Sequence, residues 1–307
     1  LKEKQISKSA LWTAYIRAYH VMYDDPKIFN DSLAHQMITD EVRITIEQGM
    51  AGFMQLLDPV LAASCPDRST ALAWAMRAMA GPANIICRAR YTEDCLEQAI
   101  RQGVQQYVIL GAGMDTFAFR RKELLDKIQV FEVDHPDMQA YKRRHLAEVG
   151  WEKPAQLHFI PVDFTQESLT TALNRELAYN PETLSFFSWL GVTYYLPRDA
   201  VFSTLRAITD IAPVGSKISF DYHHTDIFVP EKTSKAMQLG MEQMRRMGEP
   251  IITGFEPSSL ATDLTRLGLR IYEDLNQTDV EERYFKGRTD GYHAIEHVHL
   301  ALAVVNN

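Results

Sequence analysis

Apolar positions along this chain follow two rhythms. Through the first hundred residues they recur every three or four places, as on a helix with one buried stripe. An amphipathic stretch opens at Ser9 and runs through Ala10-Leu11-Trp12-Thr13-Ala14-Tyr15-Ile16, ending before Asp24-Asp25-Pro26. Helical patterns follow over Ile38–Leu57, over Thr70–Met79 with a stop at Gly81-Pro82, and over Tyr91–Ile100, closed by Gly103. From Gln106 onward short apolar runs alternate with helical patterns. The predicted strands are Tyr107–Leu110, Gln129–Val133, Gln156–Pro161, Leu184–Trp189, Lys217–Phe220, Leu269–Tyr272 and His297–Val305. Helices such as Asp137–Val149 and Arg198–Ile211 separate most of them. This alternation predicts an α/β fold with a mostly parallel sheet covered by helices on both faces. Residues 1–104 read as a helical cover and 105–307 as the core, together one structural unit.

Sheets of this kind bind ligands beyond the carboxyl ends of their strands. The first strand ends in Gly111-Ala112-Gly113-Met114-Asp115-Thr116, and the second ends in Asp134, twenty-one positions after Gly113. A strand breaking into a glycine turn lets a ligand approach the backbone, and a carboxylate about 20 residues on suits a ribose diol. A dinucleotide site wants a third small residue where this chain has Thr116, and Asp115 at the mouth would repel a pyrophosphate. The same charge is tolerable beside S-adenosyl-L-methionine, whose sulfonium and ammonium are cationic. A nicotinamide oxidoreductase is disfavoured on the same grounds.

Other strand ends carry further candidates. Asp163-Phe164 suits an adenine, the carboxylate accepting the exocyclic amine and the ring packing on the base. The alternative for Asp163 is a helix N-cap, because Thr165-Gln166-Glu167 follows. The fourth strand leads through Trp189-Leu190-Gly191 to Tyr194-Tyr195, and the fifth ends in Asp221-Tyr222-His223-His224. These aromatics either line a substrate cleft or belong to the core. A helical segment from Thr233 to Met247 carries Met237, Met241, Met244 and Met247 at helical spacing, a core stripe or an adaptable wall for an apolar substrate. Arg88 and Arg90, read as preceding the Tyr91 helix, offer a planar fork for a carboxylate; the other reading is a surface ion pair with Glu93 or Asp94.

Composition narrows the partners. The chain has 307 residues, 46% hydrophobic and 23% charged, the balance of an ordinary globular protein. A formal charge of −8 argues against nucleic acid as a partner. No apolar run approaches the ~18–20 residues of a membrane span, and no signal peptide is read before the first helix. The three cysteines, Cys65, Cys87 and Cys95, lack CxxC spacing, which points away from disulfides and zinc and towards a reducing cytoplasm. His297 and His299 alternate as on one strand face, without a second ligand pair nearby in sequence, so no metal site is predicted.

Taken together, Arg88-Ala89-Arg90-Tyr91-Thr92-Glu93-Asp94, the run from Gln106 to Arg121, Phe131-Glu132-Val133-Asp134-His135-Pro136 and Gly191-Val192-Thr193-Tyr194-Tyr195-Leu196 resemble the leucine carboxyl methyltransferase family. The likeness is closest to its bacterial branch of S-adenosylmethionine-dependent enzymes, some acting on polyketide carboxyls, and spans most of the chain. It implies a class I methyltransferase fold, a seven-stranded Rossmann-like sheet with one reversed strand. It also implies that Arg88 holds the methionine carboxylate, Gly111 the methionine backbone, Asp134 the ribose, and Asp163 with Phe164 the adenine, with Gly113 also among the cofactor-binding residues. Lys8 resembles a family lysine near that carboxylate. Two departures stand out: Leu190 replaces a glutamate found in many members, and Ile109 occupies the place of an acid usual in the first strand of class I methyltransferases.

The expected reaction is methylation of a carboxylate or other oxygen on a small hydrophobic acid or phenol. A carboxylate needs no general base; a phenol does, and His223 or His224 is the candidate, with Tyr195 beside the acceptor. The alternative expectation is an S-adenosylmethionine-binding partner or regulatory protein without catalysis.

Overall fold

The computed structural model describes residues 6–164 and 166–306. Helices α1 (Lys8–Tyr23), α2 (Asp40–Leu57), α3 (Pro59–Ser64), α4 (Arg68–Ala78) and α5 (Ala80–Arg101) precede the first strand. Side-chain caps fix several starts: Ser7 accepts the Ala10 amide at the head of α1, and Thr39 accepts that of Val42 at the head of α2.

The helix read over Thr70–Met79 ends where expected, α4 closing at Ala78 with Met79 as its cap, but Gly81-Pro82 is not a loop, for it lies in the first turn of α5. Proline is tolerated there because the first amides of a helix have no intrahelical acceptor. The helix therefore begins eleven residues before Tyr91, and Arg88 and Arg90 lie inside it instead of ahead of it. Two residues apart on a helix means nearly opposite faces. Arg88 is buried, whereas Arg90 is exposed and pairs with Asp94.

The strands are β1 (Gln106–Leu110), β2 (Gln129–Asp134), β3 (Leu157–Pro161), β4 (Ser185–Trp189), β5 (Lys217–His223), β6 (Leu269–Leu275) and β7 (Val298–Val305). They form one seven-stranded sheet in the order β3-β2-β1-β4-β5-β7-β6. Pairing is parallel from β3 to β5, and β7 runs antiparallel to both neighbours, the single reversal expected. Between strands lie α6 (Phe117–Arg120), α7 (Lys122–Leu125), α8 (Pro136–Glu148), α9 (Leu169–Arg175), α10 (Arg198–Ile211), α11 (Lys235–Arg246), α12 (Pro257–Arg266) and α13 (Gln277–Val280).

Both sheet faces are buried, so strand residues divide by alternation between two cores. Tyr107, Ile109, Val130 and Phe186 pack with α1, α5 and α8. Val108, Leu110, Phe131, Phe187 and Trp189 pack with α9, α10 and α12. The order reverses at β1 and β4, whose chain continuations run to opposite sides. A crevice opens at such a switch point, beyond the carboxyl ends of the strands. Among the described residues no helix is long and apolar enough to cross a membrane.

Candidate functional site

At the end of β1 the chain turns through Gly111 and Gly113 with φ of +71° and +51°, the left-handed region that glycine enters without strain. A β-carbon on Gly111 would stand 2.7 Å from Val192 Cγ2, and one on Gly113 would stand 3.0 Å from Ala10 Cβ. The turn is thus a bare backbone cradle pressed between the β4 loop and α1. Asp134 closes its far side: its carboxylate accepts the Gly113 amide at 2.6 Å and the His135 amide at 2.7 Å. Burial pushes the Asp134 pKa up, with the two amides opposing it. Asp115 lines the cavity beside the turn, and its Oδ1 accepts the Phe117 amide at 2.7 Å.

A buried pair supports the turn from beneath. Lys142 on α8 donates to the Asp115 carbonyl at 2.6 Å and to Glu132 at 2.5 Å. Burial pushes the Glu132 carboxyl up to about 7, while Lys142 pulls it back. The cover is fastened to the same turn. Arg17 on α1 donates to the Met114 carbonyl at 2.8 Å and pairs with Asp31 at 3.0 Å, and Asp31 accepts Thr116 Oγ1 at 2.6 Å.

Asp163 and Phe164 follow β3. Asp163 does not cap a helix: its carbonyl accepts the Gln166 and Glu167 amides in a turn, and α9 begins later with Ser168 as its cap. Thr165, part of the capping expectation, lies outside the described residues. Phe164 is 53% exposed and lines the same cavity.

Beside the cradle, β4 ends at Trp189, and Gly191 turns the chain with φ of +72°. A β-carbon there would come within 2.9 Å of Arg88 Cζ, so only glycine admits the guanidinium. Arg88 is 6% exposed and donates through Nη1 to Asp221 at 2.8 Å and to the Tyr194 hydroxyl at 3.1 Å. The surface pairing with Glu93 or Asp94 considered for Arg88 does not form; Glu93 instead engages Arg120 and Arg121. Tyr194 packs edge-to-face against Tyr195 and tilted against His223, with both ring centroids 4.5 Å away. Burial pushes His223 down to about 4, leaving it neutral at physiological pH, and its Nδ1 is among the buried atoms without a hydrogen-bond partner. Burial also raises Tyr195 well above the usual phenol range, so it stays protonated.

These walls enclose one cavity of about 1110 Å³. Arg88, Gly111, Gly113, Asp134, Asp163, Phe164, Tyr195 and His223 all line it, as does Lys8 at the exposed start of α1. The roof is α11 with its C-cap, and Met237, Met241, Met244 and the capping Met247 line the cavity beside Ile46 and Phe53 of α2. Glu249, just past α11, accepts Ser7 Oγ at 3.0 Å and the Ser9 amide at 3.1 Å, joining roof to cover. Sequence reasoning missed Asp221, Glu249, Arg17 and Asp31 as parts of this site. His299 is engaged by Asp274 at 3.0 Å and His297 by the Lys232 carbonyl at 2.9 Å. No cluster of three metal-ligating side chains occurs among the described residues.

Comparison with known proteins agrees with this geometry. A family model described as leucine carboxyl methyltransferase matches residues 10–209. A Bacillus subtilis (strain 168) protein named "Putative S-adenosyl-L-methionine-dependent methyltransferase YktD" is 35% identical over 305 residues, 99% of each chain. A Mycobacterium avium (strain 104) protein of the same description is 32% identical over 170 residues, 55% of this chain and 53% of that one. Among solved structures, one titled as a "putative methyltransferase" from Thermobifida fusca YX shares the fold with a TM-score of 0.55 and 14% identity, over 78% of this chain and 89% of that one. A DUF574 family protein from Streptomyces avermitilis MA-4680 matches with a TM-score of 0.56 and 10% identity, over 95% and 96%. At such identities the last two speak for the fold alone, that of class I methyltransferases.

Proposed function

The chain belongs to the leucine carboxyl methyltransferase family, and from that premise we propose that this S-adenosylmethionine-dependent methyltransferase acts on an oxygen of a small hydrophobic acid or phenol. The observation that carries the reading is a single cavity with two unlike walls. One holds the glycine cradle, Asp134, Asp163 and Arg88; the other is aromatic and methionine-rich.

The first wall fits the cofactor by the chemistry of its donors and by its bare backbone. Asp134 accepts from ribose hydroxyls, Asp163 from the adenine amine beside the Phe164 ring, and the Arg88 fork takes the methionine carboxylate. Gly111 and Gly113 keep the turn to bare main chain, since a β-carbon would stand 2.7 Å from Val192 on the first and 3.0 Å from Ala10 on the second. When bound, S-adenosylmethionine supplies a methyl group on a cationic sulfur, open to displacement by a nucleophilic oxygen.

The second wall orients the acceptor and excludes water. Trp189, Tyr195 and the α11 methionines offer apolar surface, and thioethers adapt to irregular shapes. Holding a nucleophile about 3–3.5 Å from its target carbon is the main catalytic demand here. An ionised carboxylate needs no further activation. A phenol must lose its proton, and His223, kept neutral by burial, is the group on this wall able to accept it.

The test is a pair of measurements on the purified protein. S-adenosylhomocysteine is expected to bind 1:1 and, at ~100 times its Kd, to stabilise the fold by about 2.7 kcal/mol. Incubation with labelled S-adenosylmethionine and a panel of aromatic and polyketide-like acids and phenols is expected to give methyl ester or ether products. Binding without turnover across the panel would leave a cofactor-binding protein and sink the acceptor assignment.

A further inference from the structure

Asp221 is wholly buried behind Arg88 and ties several parts of the site together. Its Oδ2 accepts Arg88 Nη1 at 2.8 Å and Asn84 Nδ2 at 3.2 Å. Its Oδ1 accepts the Gly191 amide at 2.6 Å, and its backbone carbonyl accepts Thr193 Oγ1 at 2.6 Å. Asn84 and Arg88 are one turn apart on α5 and both line the cavity. One carboxylate thus fastens α5, the β4 turn and the end of β5 to each other.

The arrangement bears on how a long cation is aimed. Arginine has five donors, two of them on Nη1. Asp221 and the Tyr194 hydroxyl occupy that nitrogen from behind, and the edge formed by Nη2 and Nε is the one that a carboxylate takes with two parallel bonds. Without Asp221, a guanidinium 6% exposed would be an uncompensated buried charge with several rotamers open to it. With Asp221, the charge is held in one orientation before any ligand arrives. Gly191 completes the device, because its missing side chain makes the space in which the fork lies.

We propose that Asp221 is a positioning residue that orients Arg88, and with it the Gly191–Tyr194 turn, to receive the amino-acid end of the cofactor. This deepens the reading of Arg88 given above and rests on it. The amino-acid half of the ligand should depend on Asp221, and the nucleoside half, held by Asp134 and Asp163, should not.

Calorimetry with two probes separates the halves: S-adenosylhomocysteine, and 5′-methylthioadenosine, which lacks the amino and carboxyl groups. In Asp221→Asn, S-adenosylhomocysteine affinity is expected to fall about 10- to 100-fold while 5′-methylthioadenosine affinity stays within about twofold. In an Arg88→Ala background, the same substitution is expected to add little. Equal losses for both probes would mean that Asp221 only stabilises the fold, and a gain for S-adenosylhomocysteine would mean that it competes for Arg88; either overturns the proposal. If Asp221→Asn does not fold, Asn84→Ala, which removes one donor from Oδ2, is expected to show the same selectivity at about two- to fivefold, and an unchanged probe ratio there overturns it. The wild-type protein separates the underlying readings. Failure to bind either probe removes the cofactor site itself, whereas equal affinity for both keeps that site and removes the role of Arg88 and Asp221.

Discussion

The Asp134 carboxylate accepts the Gly113 amide at 2.6 Å, so the residue proposed to hold a ribose also holds the glycine turn in shape. One oxygen is committed to Gly113 and the other to the His135 amide, and each carboxylate oxygen can accept a second bond. Asp134→Ala is therefore expected to weaken S-adenosylhomocysteine by at least about tenfold, since a bond to a charged group contributes about 1.5–3 kcal/mol. Asp94→Ala, which removes only the exposed pair with Arg90, serves as the control and should leave affinity unchanged. Equal affinities in the two variants, measured by calorimetry, would refute the assignment.

Gly191 offers a second test of the same wall. With φ of +72° and Arg88 Cζ 2.9 Å from where a β-carbon would lie, Gly191→Ala meets both backbone strain and a collision. A non-glycine residue in that region costs on the order of 1–3 kcal/mol. Urea unfolding should show a loss of about that size. Gly150→Ala, at a similar φ of +72° but with open space around it, isolates the backbone contribution. The excess of Gly191→Ala over Gly150→Ala in lost S-adenosylhomocysteine affinity reports displacement of Arg88; no excess means the guanidinium tolerates the methyl group.

His223 predicts a pH dependence of stability. Burial lowers its pKa from 6.5 to about 4, so between those values the unfolded chain binds the proton that the folded one refuses. Stability rises with pH wherever the unfolded state holds more protons. The contribution is complete above pH 6.5 and is lost as pH falls towards 4, reaching about 3 kcal/mol in total and about 2 kcal/mol by pH 5. Burial acts oppositely on Glu132, favouring the fold below pH 4.5 and less so as pH rises to about 7, so the comparison must be with a variant. His223→Gln should lose less stability than wild type between pH 7.5 and pH 5. Parallel urea-unfolding curves in the two proteins would show that His223 is not the group responsible.

How much of this was legible in the sequence depends on how far apart the interacting residues lie. The glycine turn and Asp134 were readable because strand, turn and acid follow one another locally, and the parallel sheet because apolar runs alternate with helices. The helical run before β1 was cut too short: Gly81-Pro82 punctuates most sequences, and only the packed structure shows it inside the first turn of α5. Asp221 left no local mark, since its partner Arg88 is 133 positions away. Glu249 and Ser7 are 242 positions apart, and nothing in either segment announces the contact. Charges that meet only through the fold carry no period, and sequence patterns report periods.

The acceptor wall carries the last prediction. Tyr195 and His223 flank Tyr194, each ring centroid 4.5 Å from its own, and the α11 methionines face them across the cavity. Cationic side chains on the lining are either held by other groups, Arg17 by Asp31 and Arg88 by Asp221 and, as proposed, the cofactor carboxylate, or exposed, as Lys8 is. Highly charged acceptors such as phosphates are therefore disfavoured, and aromatic or polyketide-like acids and phenols should be methylated before polar metabolites. Truncating Tyr195 to alanine removes apolar contact and a hydroxyl, while His223→Ala removes the one neutral imidazole on the lining positioned near Tyr194. For a verified acceptor, each substitution is expected to lower kcat/KM by about tenfold or more, a loss of roughly 1.4 kcal/mol in transition-state stabilisation. Affinity for S-adenosylhomocysteine should stay within about twofold, because neither side chain belongs to the wall of Asp134 and Asp163. If the acceptor is a phenol, His223→Ala should cost mainly kcat and Tyr195→Ala mainly KM, since one handles the proton and the other the ring. If both variants remain folded and methylate at the wild-type rate, the acceptor lies elsewhere in the cavity and the aromatic wall is core.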